Sequence, residues 1–405
     1  MSWPLEKLGN VIDFIRGITF KPTDVVDIDT EDSVVVMRTK NVQVAGLDCD
    51  DLIAVPRSFM KRDEQRLRNG DMLISSANSW ELVGKTSYVH ELEYEATAGG
   101  FISIIRARQG KIDSKYLYYW LTSPSIQHKI RYCGRQTTNI SNLDVERFKE
   151  LEIPLPPLDE QERIAAILDK ADAIRLKRKQ AIILADDFLR SVFLDMFGDI
   201  EGNGWSLTTV EKLAQDKKGS MRTGPFGSQL LHSEFTKSGI AVLGIDNAVS
   251  NKFEWSKSRF ISEDKYKKLH RYTVYPGDVI ITIMGTCGRC AVVPDDIPTA
   301  INTKHLCCIT LDQEKCLPSF LHAYFLYHPE AKRYLRQNTK GAIMAGLNMG
   351  IIKGMPVPEV AIELQEKYDE FLRQYDKTSA HLGKGLVKTE ENFHSLSQKA
   401  FSGQL

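Results

Sequence analysis

The sequence contains no apolar run approaching the ~20 residues needed to span a bilayer, and its start, MSWPLEKLGNVIDF, lacks a basic stretch followed by an apolar one. A soluble, cytoplasmic protein is the expectation. Cysteine is scarce: seven in 405 residues form an odd, sparse set that suits reduced or buried thiols rather than a disulfide framework. Cys287 and Cys290 form a C-x-x-C, with Cys307 and Cys308 further on, but a second C-x-x-C is missing and adjacent cysteines on a strand point to opposite faces. No metal site is expected. A surplus of positive charge is missing as well. The 53 Lys+Arg balance 53 Asp+Glu, which argues against a chain that grips phosphates unaided, because that grip comes from basic side chains releasing counterions.

Catalytic signatures are also absent. The single Pro-Pro, Pro156-Pro157, is followed by Leu158, so nothing resembles the Asn/Asp-Pro-Pro-aromatic motif that holds a flipped base in adenine methyltransferases. Gly84-Lys85-Thr86 would need a glycine at 79 to form a phosphate loop, and that position is Ser79. No G-x-G-x-x-G opens a helix, and His128, His270 and His305 lack metal-ligand spacing. Recognition, rather than catalysis by this chain, is the expected task.

What is present is a repeat. A chain of this length suggests two or three domains, and ordered echoes recur at an offset drifting by a few residues around 204. Trp3-Pro4-Leu5 answers to Trp205-Ser206-Leu207, and Val36-Met37 with Asn41 to Val242-Leu243 with Asn247. Gly70-Asp71-Met72-Leu73-Ile74-Ser75 matches Gly277-Asp278-Val279-Ile280-Ile281-Thr282, and Pro154 and Pro156 match Pro356 and Pro358. The copies differ in charge: residues 1–157 carry 20 Lys+Arg against 22 Asp+Glu, whereas 200–357 carry 20 against 14. Short β-branched runs such as GDMLIS and GDVIITI read as strands. The aromatic stretches SKYLYYWLTSPSIQHKI and SFLHAYFLYHPEAKRYL read as helices whose rings are core. The expected fold is α/β in the α+β sense, two similar domains at 1–157 and 200–357, with long helices at 158–199 and 358–405.

Each copy ends in a charged, helical stretch. In the first, Asp159 with Glu162 suits an N-terminal cap and Gly198 a C-terminal one. Ile164, Ile167, Ala171, Ile174, Ala181, Ala185, Phe188 and Val192 recur at a/d spacing, with Arg178 breaking the seam. At an offset of 204 the second copy places Gln365 against Gln161, Tyr368 against Ile164, Phe371 against Ile167, Tyr375 against Ala171 and Leu396 against Val192. A narrow apolar stripe needs a partner, so an antiparallel pair of the two helices is expected, with pseudo-two-fold symmetry. Arg178 must then snorkel or find a carboxylate.

The run IPLPPLDEQERIAAIL, the GDMLIS and GDVIIT strands, the phrase GAIMAGLNMGIIKGMPVP and the closing AFSGQL together resemble the specificity subunits of type I restriction-modification systems over the whole chain. The second copy departs from the pattern at Glu359-Val360-Ala361-Ile362-Glu363-Leu364-Gln365. The resemblance implies two target-recognition domains, each reading one half of an interrupted, asymmetric sequence in double-stranded DNA, and helices that set the gap and dock the partners. It further implies two modification (methyltransferase) subunits that bind S-adenosylmethionine and two restriction subunits that use ATP and Mg. This chain would be non-catalytic, bind none of those cofactors and meet no membrane.

Base edges are told apart by Arg or Lys at guanine and by Asn or Gln at adenine, usually from loops. The candidates in the first copy are Arg38, Lys40, Asn41, Asn78, Trp80, Arg135, Gln136 and Asn139. In the second they are Asp246, Asn247, Thr286, Arg289, Lys340, Met344 and Asn348. Exposed helix charges such as Arg175, Lys177, Arg178 and Lys179 are candidates for the methyltransferase contact. Two other readings stay open at this point: a coiled-coil scaffold without a nucleic-acid role, and a self-contained DNA-modifying enzyme with a degenerate motif.

Overall fold

The computed structural model describes residues 3–44, 46–136, 140–338 and 346–405. It resolves into two units, Met1–Lys179 with Lys384–Leu405, and Gln180–Gly383. Each unit thus combines one globular domain with parts of both long helices, Leu158–Phe197 (the central helix) and Ile362–Phe401 (the C-terminal helix). No described helix is long and apolar enough to cross a membrane.

The duplication is visible in strand pairing. The first unit holds an antiparallel sheet in the order Ile12–Arg16, Ile102–Ala107, Met72–Ser75, Thr86–Tyr88, and the second holds Met221–Thr223, Leu306–Ile309, Val279–Thr282, Cys290–Val292. The second sheet of each unit contains one parallel pair: Ala96–Ala98 lies beside Ser33–Met37, and Ala300–Asn302 beside Ile240–Leu243. Leu5–Lys7 pairs with Glu152–Pro154 just as Leu207–Thr209 pairs with Pro356–Pro358. This register corrects one sequence match. Leu5 faces Pro154 and Leu207 faces Pro358, so Pro154 corresponds to Pro358 rather than Pro356.

Each aromatic stretch is a pair of helices rather than one. Ser114–Thr122 and Pro124–Tyr132 break at Ser123 (ψ 142°), and Pro318–Tyr327 and Pro329–Asn338 break at His328 (ψ 132°). The proline ring clashes with a helical residue before it and pushes that residue into extended backbone. The rings themselves are core: Tyr116, Trp120, Phe320 and Tyr324 are buried.

The long helices enter these cores instead of standing apart from them. Ile164 and Leu168 of the central helix and Ala400 of the C-terminal helix join Tyr116, Trp120 and Phe148 in the first unit. In the second, Phe193, Phe197, Tyr368 and Tyr375 join Phe320 and Tyr324. The helices run antiparallel within each unit: Lys179 meets Glu390 at 3.0 Å and Arg175 lies over the Phe393 ring in the first, while Phe188 meets the edge of Phe371 and Phe193 that of Tyr368 in the second.

Several helix details differ from expectation. Leu158 is already helical, so Asp159 lies inside the first turn, where a carboxylate favours the N-terminal dipole without capping it. Gly198 follows the helix but is not left-handed; its lack of a Cβ matters because such an atom would stand 2.4 Å from the Leu194 carbonyl oxygen. Ile174 and Phe188 are 52% and 58% exposed, whereas Leu168, Leu189 and Phe193 are buried. Near the domains the helix packs against both its partner helix and the domain core, so the buried stripe follows the core and departs from the a/d positions. Arg178 is exposed, as a snorkelling side chain would be, and its guanidinium lies over Gly385, where a Cβ would meet Nη1 at 2.1 Å.

One contact recurs in both units at the helix start. Gln161 and Gln365 are both buried. Gln161 Oε1 accepts the Asp113 N–H (2.9 Å) and its Nε2 donates to the Pro156 carbonyl (2.8 Å). Gln365 Oε1 accepts the Leu317 N–H (2.8 Å) and its Nε2 donates to the carbonyls of Val360 (2.9 Å) and Lys315 (3.1 Å).

Candidate nucleic-acid interface

The sequence candidates fall into three structural groups. The first lies in the loop after Ser33–Met37 and in its counterpart after Ile240–Leu243. Asn41 and Asn247 are both buried, and their amides are engaged by backbone. Asn41 Oδ1 accepts the Arg38 N–H (2.9 Å) and Nδ2 donates to the carbonyls of Asp48 (2.9 Å) and Asp51 (3.1 Å). Asn247 Oδ1 accepts the Gly244 N–H (2.9 Å) and Nδ2 donates to the Glu254 carbonyl (2.8 Å). In this arrangement both side chains hold loops in shape and neither presents an edge to a base. Their outward neighbours are ion-paired: Arg38 and Lys40 both meet Asp51, and Arg259 donates to Asp246 at 2.6 Å. Partial burial pushes the Asp246 carboxyl up, but hydrogen bonds from Arg259 and Ser256 outweigh it and hold the group below the usual carboxylate range.

The second group is assembled by a small sheet that sequence reading did not foresee. Ser141–Leu143 pairs with Gly134–Gln136 on one side and Ala77–Asn78 on the other, so segments some sixty residues apart share one small sheet. Asn78 and Gln136 are in register with Ser141, and Arg135 lies one position along, in register with Asn142 and Ala77 and on the opposite face from Asn78. Asn78 is half-buried, its Nδ2 donating to Ser75 Oγ at 3.1 Å. Arg135 has a largely exposed side chain, held by Asp144 through Nε (2.9 Å) and Nη2 (2.7 Å). Asp144 in turn caps Val145–Lys149, accepting the N–H groups of Glu146 and Arg147. The Arg147 N–H, opposed by some desolvation and aided by Arg135, keeps its carboxyl below the usual range. Trp80 sits edge-on to Tyr132 (5.4 Å), whose other neighbour is the His128 ring at 4.8 Å.

The third group is the loop after Val279–Thr282. Gly285 (φ +72°) and Gly288 (φ +77°) adopt left-handed backbone that other residues resist. Thr282 closes the loop: its Oγ1 donates to the Thr286 carbonyl (2.5 Å) and accepts the Arg289 N–H (2.9 Å). Thr286 and Arg289 are left exposed at its surface. Asn348 is exposed and caps Met349–Lys353, accepting the Ile351 N–H at 3.0 Å. Asn139, Lys340 and Met344 lie outside the described residues, as does the Gln136 side chain.

The structure adds residues that composition could not single out. Tyr132 (57% exposed) beside Trp80, and Trp255 (52% exposed) packed edge-on to Phe253, are aromatic surfaces on the two units. In sequence they are indistinguishable from the buried rings around them. Among the described residues no group of three or more His, Cys, Asp or Glu side chains is placed to hold a metal ion.

Two domains of one design, each carried on a pair of antiparallel helices and each presenting polar loops on its surface, define a doubled recognition protein. The model of the type I restriction modification DNA specificity domain matches residues 3–184 and 231–388, and the chain belongs to that family. It is 24% identical to the EcoKI specificity subunit of Escherichia coli (strain K12) over 437 aligned positions, covering 100% of this chain and 89% of that one. It is also 23% identical to the MjaVIII specificity subunit of Methanocaldococcus jannaschii, covering 93% and 86%. The fold is similar to the crystal structure of a type I S subunit from M. genitalium, with TM-score 0.57 and 16% identity over 99% of this chain and 96% of that one.

Proposed function

We propose that this chain is the sequence-reading subunit of a type I restriction-modification complex. Each domain reads one half of an interrupted DNA target, and the helices set the number of base pairs between the halves. The observation that carries the reading is the family match over both copies of the repeat, joined to a fold in which each copy has its own core and its own share of both helices. Arg135 and Asn78 in the first unit and Arg289 in the second have the chemistry to read guanine or adenine edges. The surplus of basic residues in 200–357, 20 against 14 acidic, suits phosphate contact on that side.

The chain itself is non-catalytic and binds no cofactor. Double-stranded DNA and two modification subunits are its partners, with two restriction subunits joining them, so S-adenosylmethionine, ATP and Mg serve those subunits. Ile183, Leu184 and Phe188, exposed at 61%, 59% and 58%, form an apolar strip on the central helix that fits a partner subunit.

The test is co-expression with the neighbouring methyltransferase in a host free of other methylation, followed by genome-wide mapping of modified adenines. A two-part motif that disappears without this chain is expected. Absence of any motif, with the methyltransferase present and bound, would overturn the reading.

A further inference from the structure

Gln161 and Gln365 occupy the same point of the two helices, the fourth residue of each, counting Leu158 and Ile362 as the first. Each is buried and uses both ends of its amide. The oxygen takes the N–H of the residue that caps the first aromatic helix, Asp113 before Ser114–Thr122 and Leu317 before Pro318–Tyr327. The nitrogen donates to a carbonyl two residues before the long helix, Pro156 or Val360. Three segments therefore meet at one side chain: the domain's aromatic helix, the chain leaving the domain, and the long helix. The contact survives although the surrounding sequence changes from Pro-Pro-Leu-Asp-Glu-Gln to Val-Ala-Ile-Glu-Leu-Gln.

We propose that Gln161 and Gln365 are positioning residues that set the orientation of each recognition domain on its helix, and thereby how strictly the gap in the target is read. The inference rests on the function proposed above. A change of one base pair in the gap moves a half-site by about 3.4 Å and rotates it by about 34° around the duplex. A rigid joint cannot follow that rotation, whereas a joint freed of its amide can swing toward it. Glutamine alone suits the position, since it must accept from an N–H and donate to a carbonyl; glutamate would set a lone pair against the Pro156 or Val360 oxygen.

The experiment uses the full chain with its methyltransferase, carrying Gln161→Met, Gln365→Met or Gln365→Glu, with modified adenines mapped genome-wide and the melting temperature of each purified chain recorded. The expected result is unchanged bases in both half-sites, with methylation at gaps one base pair shorter or longer rising about tenfold over wild type. Folded variants that keep a single gap overturn the proposal. Failure of all three variants to fold overturns it too, because the amide is then part of the core instead of a joint. If the wild-type chain yields no two-part motif, the functional reading fails, separately from the role of these residues.

Discussion

Asp71 and Asp278 stand at the same point of the repeat, each after a glycine with positive φ, and both are buried. Each holds a guanidinium, but from a different strand. Arg106 of the central strand Ile102–Ala107 grips Asp71 through Nε and Nη2, both at 2.7 Å. Arg222 of the edge strand Met221–Thr223 reaches Asp278 at 2.5 Å, and Thr310 Oγ1 donates to the same carboxylate at 2.6 Å. A buried carboxylate requires a cation, and the fold lets either strand supply it. Removing one partner leaves an uncompensated buried charge, so Arg222→Met should cost about 3–5 kcal/mol, seen as a lower denaturation midpoint with an unchanged m-value. Arg289 is proposed to belong to the recognition chemistry instead. Arg289→Ala should leave the stability unchanged and relax one base position in one half-site by about 1–3 kcal/mol, read as degeneracy at that position in the methylation motif. A change in both half-sites, or in neither, would remove Arg289 from the reading surface.

Among elements, the long helices show how packing overrides a periodic pattern. Ile164 and Tyr368 are buried as their a/d spacing suggests, and Phe188, though 58% exposed, still meets the Phe371 edge, but Ile174 is left half exposed because the cores of the two domains select Leu168, Leu189 and Phe193. Arg178 is accommodated by a glycine on the facing helix, a solution that a single helix's sequence does not reveal. Gly383 differs from Gly385: nothing lies within 4 Å of the position its Cβ would take. Gly383→Ala should therefore stabilise the chain by up to about 1 kcal/mol through helix propensity alone, raising the melting temperature. Gly385→Ala should gain less, since the new methyl must displace the Arg178 guanidinium, and a larger gain at 385 than at 383 would contradict the packing described.

For the whole molecule, the proposed division of labour makes two demands. Exchanging residues 200–357 for the corresponding domain of a relative should alter only one half of the methylation motif. Inserting four residues into both long helices at matched positions adds about 6 Å to each, so the gap should lengthen by one or two base pairs while both half-sites persist. A motif unchanged in spacing would separate helix length from gap length. The apolar strip at Ile183, Leu184 and Phe188 belongs to this scale as well: Leu184→Lys should weaken capture of the methyltransferase in a pull-down and leave the melting temperature of the isolated chain unchanged.

The doubled organisation, the two long helices and the family were legible in the sequence because each is written in local order: repeated phrases at a near-constant offset, proline-flanked helix starts, and a charged pattern with an apolar stripe. The proposed recognition surface was legible only in part. Asn41 and Asn247 have the side chains of base readers, but burial commits their amides to the loops. Asn78 and Arg135 are far apart in the chain, and only strand pairing through Ser141–Leu143 places them in one small sheet. The pairing of Gln161 with Gln365 could be read from the repeat, yet the backbone N–H that each one accepts from lies some fifty residues away in the domain. Periodicity and turn chemistry act between near neighbours, so the sequence by itself determined the elements and their duplication. Burial and long-range hydrogen bonding act between residues that only the folded chain brings into contact, so the tertiary structure decided which polar side chains hold the fold and which remain free to face a partner.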